Sequence, residues 1–222
     1  MSALALALAG ALVAAAALAT QESGPPLDPG VGASSPPVTP TTAEPSPSPS
    51  PTEPPPVPVR FRVTDVDRVF VGRRPARRAV QRTMDRVITA IRSHMTRLYR
   101  VAFVNHDSWR TGRYGEAIML FERRSRRAAR KDLAILTLGP GAGDRYASVL
   151  SAWGRLRVQA LLGPRAGPLT AVATVFFRAR AETLDGGVRI IVSEGRYFLQ
   201  PVGPRWAISA YRVRRRDHPA GG

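Results

Sequence analysis

The chain reads as an α+β protein: N-terminal helices packed on a curved antiparallel sheet of four or more strands. Three observations carry that reading. From Val80 the apolar residues recur at Met84, Val87, Ile88, Ile91, Met95, Leu98, Tyr99 and Ala102, the i, i+3, i+4 stripe of one long amphipathic helix. From about Arg155 to Arg214 apolar and polar residues alternate instead, which is the period of half-buried strands. Asp185-Gly186-Gly187 and Val202-Gly203-Pro204 punctuate the alternating part as turns, as expected of an antiparallel meander.

Taken in order, Val59, Phe61, Val63, Val66, Val69 and Val71 form a β-branched lead-in, and Pro75 suits a first helical position. The long helix follows, with Arg78, Arg82, Arg86, Arg92, Arg97 and Arg100 on its polar faces. Asn105-His106-Asp107-Ser108 breaks it, with Asp107 expected to cap the next turn. A second helix is expected from about Glu116 to Asp132, with Ile118, Phe121, Ala128 and Ala129 on one face. Gly139-Pro140-Gly141-Ala142-Gly143 is a loop: it lacks the Lys-Ser/Thr of a phosphate loop and the strand-to-helix setting of a dinucleotide fingerprint. A short helix over Asp144 to Leu150 precedes the strands.

The strand faces follow from the alternation. Leu156, Val158, Ala160 and Leu162 share a buried face, and Ala173, Val175, Phe177 and Ala179 oppose Thr174, Phe176, Arg178 and Arg180. In the next run Gly195 marks a bulge or a close backbone approach. In the last, Trp206, Ile208 and Ala210 oppose Ala207, Ser209, Tyr211 and Val213. Phe176, Phe177, Tyr197, Phe198 and Trp206 are all assigned to core packing, which leaves no stacking platform for single-stranded nucleic acid.

Ahead of this domain, composition divides the chain twice. Residues 1–22 hold an uncharged Ala/Leu run from Ala3 to Ala19, with Ala17-Leu18-Ala19 as a small-x-small cleavage pattern, and read as a signal peptide or a signal anchor. Residues 23–58 are a Pro/Ser/Thr-rich tether; 14 of the 21 prolines fall between 24 and 58, too little apolar surface for a core. Extended at about 3.1 Å per residue, a tether of this length reaches roughly 100 Å. Residues 59–222 are the folded domain, of ordinary single-domain size.

Charge is segregated in the same way. Every Lys and Arg lies after residue 59, so residues 59–222 hold 33 basic against 12 acidic residues, a net +21. That excess points to an anionic partner or to a solvated basic face, and with Lys131 the one lysine, part of it reflects residues encoded by GC-rich codons. Two patches are candidates for anion binding: Arg123, Arg124, Arg126, Arg127, Arg130 and Lys131 on the second helix, and Arg214, Arg215 and Arg216 near the C-terminus. With no cysteine, disulfides, thiolate nucleophiles and Cys-ligated zinc are excluded. The three histidines have no metal-ligand spacing, so no metal and no cofactor are expected.

The long helix, the second helix and long strands ending in Glu194-Gly195-Arg196-Tyr197-Phe198-Leu199 and Trp206-Ala207-Ile208 resemble the nuclear transport factor 2-like (SnoaL-like) cone fold over about residues 75–215. With an apolar N-terminus and a Pro-rich tether in front, the chain is similar to extracytoplasmic domains of actinobacterial envelope proteins, including Mce-associated membrane proteins. The resemblance implies a cone whose interior can carry Asp, His or Tyr. His94, Tyr99, Asp132 and Tyr197 are the cavity candidates here, none in a catalytic motif and His94 more readily a boundary residue. A homodimer through the sheet is a further partner expectation. The expected function is therefore a non-enzymatic, extracytoplasmic, membrane-tethered or secreted binding or assembly domain of the cell envelope. Its partner would be an envelope protein, anionic lipid or acidic wall polymer, with no specific nucleic acid. A small-molecule enzyme or ligand carrier using the cone is the alternative from another class; a nucleic-acid binder is a third, and would require that the N-terminus not export the domain.

Overall fold

The computed structural model describes residues 57–221. The leader assigned to residues 1–22 and nearly all of the tether assigned to 23–58 lie outside them. The described chain is α+β: β1 (Arg60–Phe70), α1 (Arg77–Tyr99), a π-helical turn (Arg100–Val104), α2 (His106–Thr111), α3 (Gly115–Met119), α4 (Arg126–Lys131), α5 (Leu133–Leu136), β2 (Tyr146–Leu162), β3 (Pro168–Thr183), β4 (Val188–Val202) and β5 (Arg205–Pro219). The strands form one sheet in chain order, β1 to β5. None of the described helices is long and apolar enough to cross a membrane.

Two features correct the expected architecture. The sheet is mixed, not wholly antiparallel, because the lead-in is itself an edge strand that runs parallel to β2, Phe61 opposite Gly154 and Val66 opposite Val158. The helices therefore lie between β1 and β2 and are not N-terminal to the sheet. A parallel pair needs a long crossover connection, and the helical stretch is that connection. The remaining three pairings are antiparallel hairpins.

One face of α1 packs on the sheet through the residues that the periodicity marks, among them Met84, Val87, Ile91, Met95, Leu98 and Tyr99, all buried. The π turn widens the helix at its end, with the Asn105 amide donating to the Arg100 carbonyl at 2.7 Å, and buries four successive residues from Val101 to Val104. Phe103 thereby stacks on Tyr99 at 5.2 Å between centroids, and Phe177 of β3 meets both rings at 4.7 and 5.1 Å. Phe61 completes the cluster from β1, 5.3 Å from Tyr99. It fits because its cross-strand neighbour is Gly154: a Cβ there would lie 2.2 Å from the Phe61 ring.

The helical segment after α1 is more broken than its composition predicts. The expected break forms α2, capped by Asn105, whose Oδ1 accepts from the Ser108 amide at 3.1 Å; Asp107 is in the first turn and is not the cap. The expected helix over 116–132 is interrupted because Leu120 to Glu122 pair with the free side of β5 at Ile208, the Glu122 amide donating at 2.8 Å and Ile208 returning one to the Leu120 carbonyl at 3.0 Å. The segment expected as a short helix over 144–150 instead opens β2 at Tyr146.

In β5 the expected faces hold only to Ile208. A register shift between Phe198 and Leu199 leaves Ser209 as an extra residue, so Tyr211, Val213, Arg215 and Asp217 turn inward while Ala210 faces out. At Gly195 the β5 main chain approaches so closely that a Cβ would lie 2.2 Å from the Arg212 carbonyl oxygen, the close approach that a mid-strand glycine signals.

Candidate functional site

The inner face of the sheet is covered by helices; the outer face carries the charge. Because side chains alternate, the register brings Arg62, Arg155, Phe176, Glu194 and Arg214 side by side across five strands. The next row along holds Arg157, Thr174, Arg196 and Arg212, and the row on the other side Trp153, Arg178, Val192 and Arg216. Neighbours across strands are about 4.8 Å apart and same-face neighbours along a strand about 6.7 Å, so the guanidinium groups form a two-dimensional field.

Few of these charges are answered within the sheet. Arg157 reaches Asp65 at 2.8 Å and Asp67 at 3.1 Å, tying the edge strand to β2. Arg214 and Arg216 share Glu194 at 2.9 and 2.6 Å. Burial pushes the Glu194 carboxyl upward, but the two guanidinium donors outweigh it and hold the group below the usual carboxylate range. Among the described residues, no carboxylate comes within ion-pair distance of Arg62, Arg155, Arg178, Arg196 or Arg212. A groove of about 730 Å³ lies over this field, bounded by Arg155, Arg157, Arg196, Arg212 and Arg214, with Thr174 and Phe176 in its floor.

Aromatic residues interleave with the arginines here. Trp153 and Phe176 approach to 5.7 Å, and the Arg155 guanidinium lies over both rings. Trp153 is 41% exposed and Phe198 38%, so two of the outer-face rings are open to solvent. The assignment of Phe176 and Phe198 to the core is thus corrected: both have outward parity on their strands, whereas Phe177 and Tyr197 are buried. Trp153 was missed because it stands just ahead of the segment in which alternation becomes regular.

The two patches predicted from sequence are not what they seemed. Arg123 and Arg124 sit in the turn before α4, where Arg124 pairs with Glu122 at 3.0 Å. Arg126 donates to the Phe121 carbonyl at 3.0 Å, and Arg127, Arg130 and Lys131 are exposed on the short α4. No single helix projects all six. The C-terminal three are split by strand alternation: Arg214 and Arg216 point outward onto Glu194, while Arg215 points inward and grips Asp217 through two bonds of 3.0 and 2.9 Å. Their side chains are only 11% and 13% exposed, and Tyr146 donates to the same carboxylate at 2.8 Å. Arg215 is a structural ion pair, with the Thr137 carbonyl as a further acceptor.

Of the four cavity candidates, the fold brings two together. The Tyr99 hydroxyl is 3.1 Å from both the Ser193 and the Tyr197 hydroxyls, in a cluster with no solvent exposure. Burial, against hydrogen bonds from Ser193 and Tyr197, pushes Tyr99 up to about 12; burial with the neighbouring Tyr99 drives Tyr197 far above the ordinary tyrosine value. Both are neutral phenols that answer one another. Asp132 stands apart and accepts from Tyr211 at 2.7 Å. His94 is on α1 with Nε2 buried and without a hydrogen-bond partner among the described residues; burial lowers its pKa to about 4, against an opposing pull from the Leu120 backbone and with help from Arg97. Among the described residues no group of three His, Asp or Glu side chains is placed to hold a metal ion. No family model, curated protein or solved structure matches the chain.

Proposed function

We propose that this chain is a non-enzymatic binding domain of the cell envelope. In this reading the apolar N-terminus and the Pro-rich tether carry the basic domain across the cytoplasmic membrane, and the outer face of its sheet takes a linear polyanion there. The observation that supports it most is the outer-face field of Arg62, Arg155, Arg178, Arg196 and Arg212, without carboxylate partners among the described residues, with Arg155, Arg196 and Arg212 lining an open groove. Such a field repels itself in the free protein and is relieved by an anionic ligand. A groove admits a chain, whereas a flat bilayer would meet only the tips of the arginines.

The interior favours binding over chemistry. Tyr99, Ser193 and Tyr197 satisfy one another at zero exposure, so a substrate would have to open the aromatic cluster to reach them. The fold itself we read as a variant of the nuclear transport factor 2-like cone with an added parallel edge strand. Support comes from the long α1 laid along the inner face and from the tight β4–β5 approach at Gly195.

Two measurements test this. Alkaline phosphatase fused after residue 58 is expected to be active, and an inactive, cytosolic fusion would overturn the location. The full chain is expected to bind long-chain polyphosphate at about 50 mM salt and to lose most of that binding by about 300 mM, since many screened contacts carry it. Absent or salt-insensitive binding would overturn the surface.

A further inference from the structure

We propose that the outer-face groove is a site for an acidic polysaccharide, with a sugar ring seated on the Trp153–Phe176 step and the acid groups on Arg196 and Arg212. This rests on the polyanion reading above and names the class of polymer. Charge alone would suit any polyanion, but the groove is not made of charge alone. Its lining includes Thr64, Thr174 and Glu194, residues that can hydrogen-bond as well as carry charge. Glu194 lies at the centre of the arginine field, 2.9 Å from Arg214 and 2.6 Å from Arg216, and a carboxylate accepts several hydrogen bonds beyond those two. Its charge is answered by those two guanidinium groups, and it has nothing to accept from a chain of bare phosphates. Facing a polyhydroxylated chain it is an acceptor for sugar hydroxyls.

The aromatic step adds the ring-binding element. Trp153 is 41% exposed at the end of the row beside the groove, and Phe176 lies in the groove floor, 5.7 Å away between centroids. The electron-rich face of such a ring attracts the polarised C–H bonds on the flat side of a pyranose. Arg155, which covers both rings at 5.9 and 5.0 Å, is exposed and free to swing onto an acid group when the sugar takes its place. On the outer face of β5, Arg212 is the arginine without a carboxylate partner among the described residues, while Arg214 and Arg216, about 6.7 Å apart along the strand, hold Glu194 in place.

The test compares three probes on the full chain at one low salt concentration: oligogalacturonate, which has rings, hydroxyls and carboxylates; polyphosphate, which has charge alone; and oligo(dT), which has charge and bases. The parent is expected to favour oligogalacturonate over oligo(dT) of equal charge. Trp153→Ala and the non-aromatic Phe176→Leu are expected to weaken oligogalacturonate about five- to tenfold and to leave polyphosphate unchanged. The double variant Arg196→Gln/Arg212→Gln is expected to weaken both. Preference for oligo(dT), or equal losses on oligogalacturonate and polyphosphate in the ring variants, would overturn the polysaccharide assignment and leave the polyanion surface standing. Failure of the parent to bind either polyphosphate or oligogalacturonate would overturn both.

Discussion

The Arg155 guanidinium lies 5.0 Å from the centroid of the Phe176 ring, on the neighbouring strand and in the same row of the sheet. The contact places a cation and an aromatic face together on a solvent-facing surface, and Trp153 extends it along β2. It is worth little to the fold. Removing it with Arg155→Ala is expected to cost about 0.5–1 kcal/mol in urea unfolding, the ordinary size of an exposed cation–π contact. The Trp153 emission should shift to the red as its covering group leaves. A loss of several kcal/mol would mean that Arg155 serves the core and not the surface.

The core makes the opposite demand. Phe177 is fully buried against both Tyr99 and Phe103, so Phe177→Asp should destabilise by several kcal/mol through a buried, unpaired charge. Gly154→Ala tests the edge strand separately. Its methyl group would occupy the place of the Phe61 ring, and a cost of about 1–3 kcal/mol is expected from overpacking. Wild-type stability in Gly154→Ala would show that β1 does not pack as described.

Acid should reveal His94. Its folded pKa of about 4 is depressed from 6.5, mainly by burial, so the unfolded chain takes up the proton first. Its contribution is therefore complete above about 6.5 and is lost as the pH falls through about 4, on the order of 3 kcal/mol in all. In urea titrations between pH 7 and 4, His94→Gln should flatten that part of the profile. An unchanged slope would place the sensitivity elsewhere.

Alkali should act through the tyrosine cluster. Tyr99 is raised from 10.0 to about 12, so the folded state holds its proton while the unfolded state releases it. Stability from this source is whole below about 10 and falls as the pH rises through about 12. Phenolate absorbance near pH 11 should therefore appear only with unfolding for Tyr99 and Tyr197. Reversible ionisation of all five tyrosines in the folded protein would contradict their closed network.

Much of the fold was legible because periodicity reports burial. The α1 stripe and the inner faces of β2 and β3 follow directly from the spacing of Met84, Val87 and Ile91 and of Leu156, Val158 and Phe177. What escaped depends on partners distant in sequence. The lead-in strand is recognisable as a strand only once β2 is there to pair with it, and the break at Phe121 follows from its bridge to Ile208, 87 positions on in the chain. The site escaped for a related reason. Basic residues clustered in sequence, such as Arg214, Arg215 and Arg216, are sent to opposite faces by strand alternation, whereas Arg62, Arg155 and Arg214 become neighbours only through pairing register.

The most direct test sets the two arginine groups against each other. Arg178→Gln/Arg196→Gln/Arg212→Gln removes three charges from the outer face, and Arg123→Gln/Arg127→Gln/Arg130→Gln removes three exposed charges from the turn and α4, so net charge falls equally. Affinity for polyphosphate is measured in both at about 50 mM salt, with circular dichroism to confirm the fold. The expected result is a loss of tenfold or more in the outer-face variant and a change of less than about threefold in the other. Equal losses would reduce the interaction to net charge, and a loss confined to the α4 variant would move the functional surface away from the sheet.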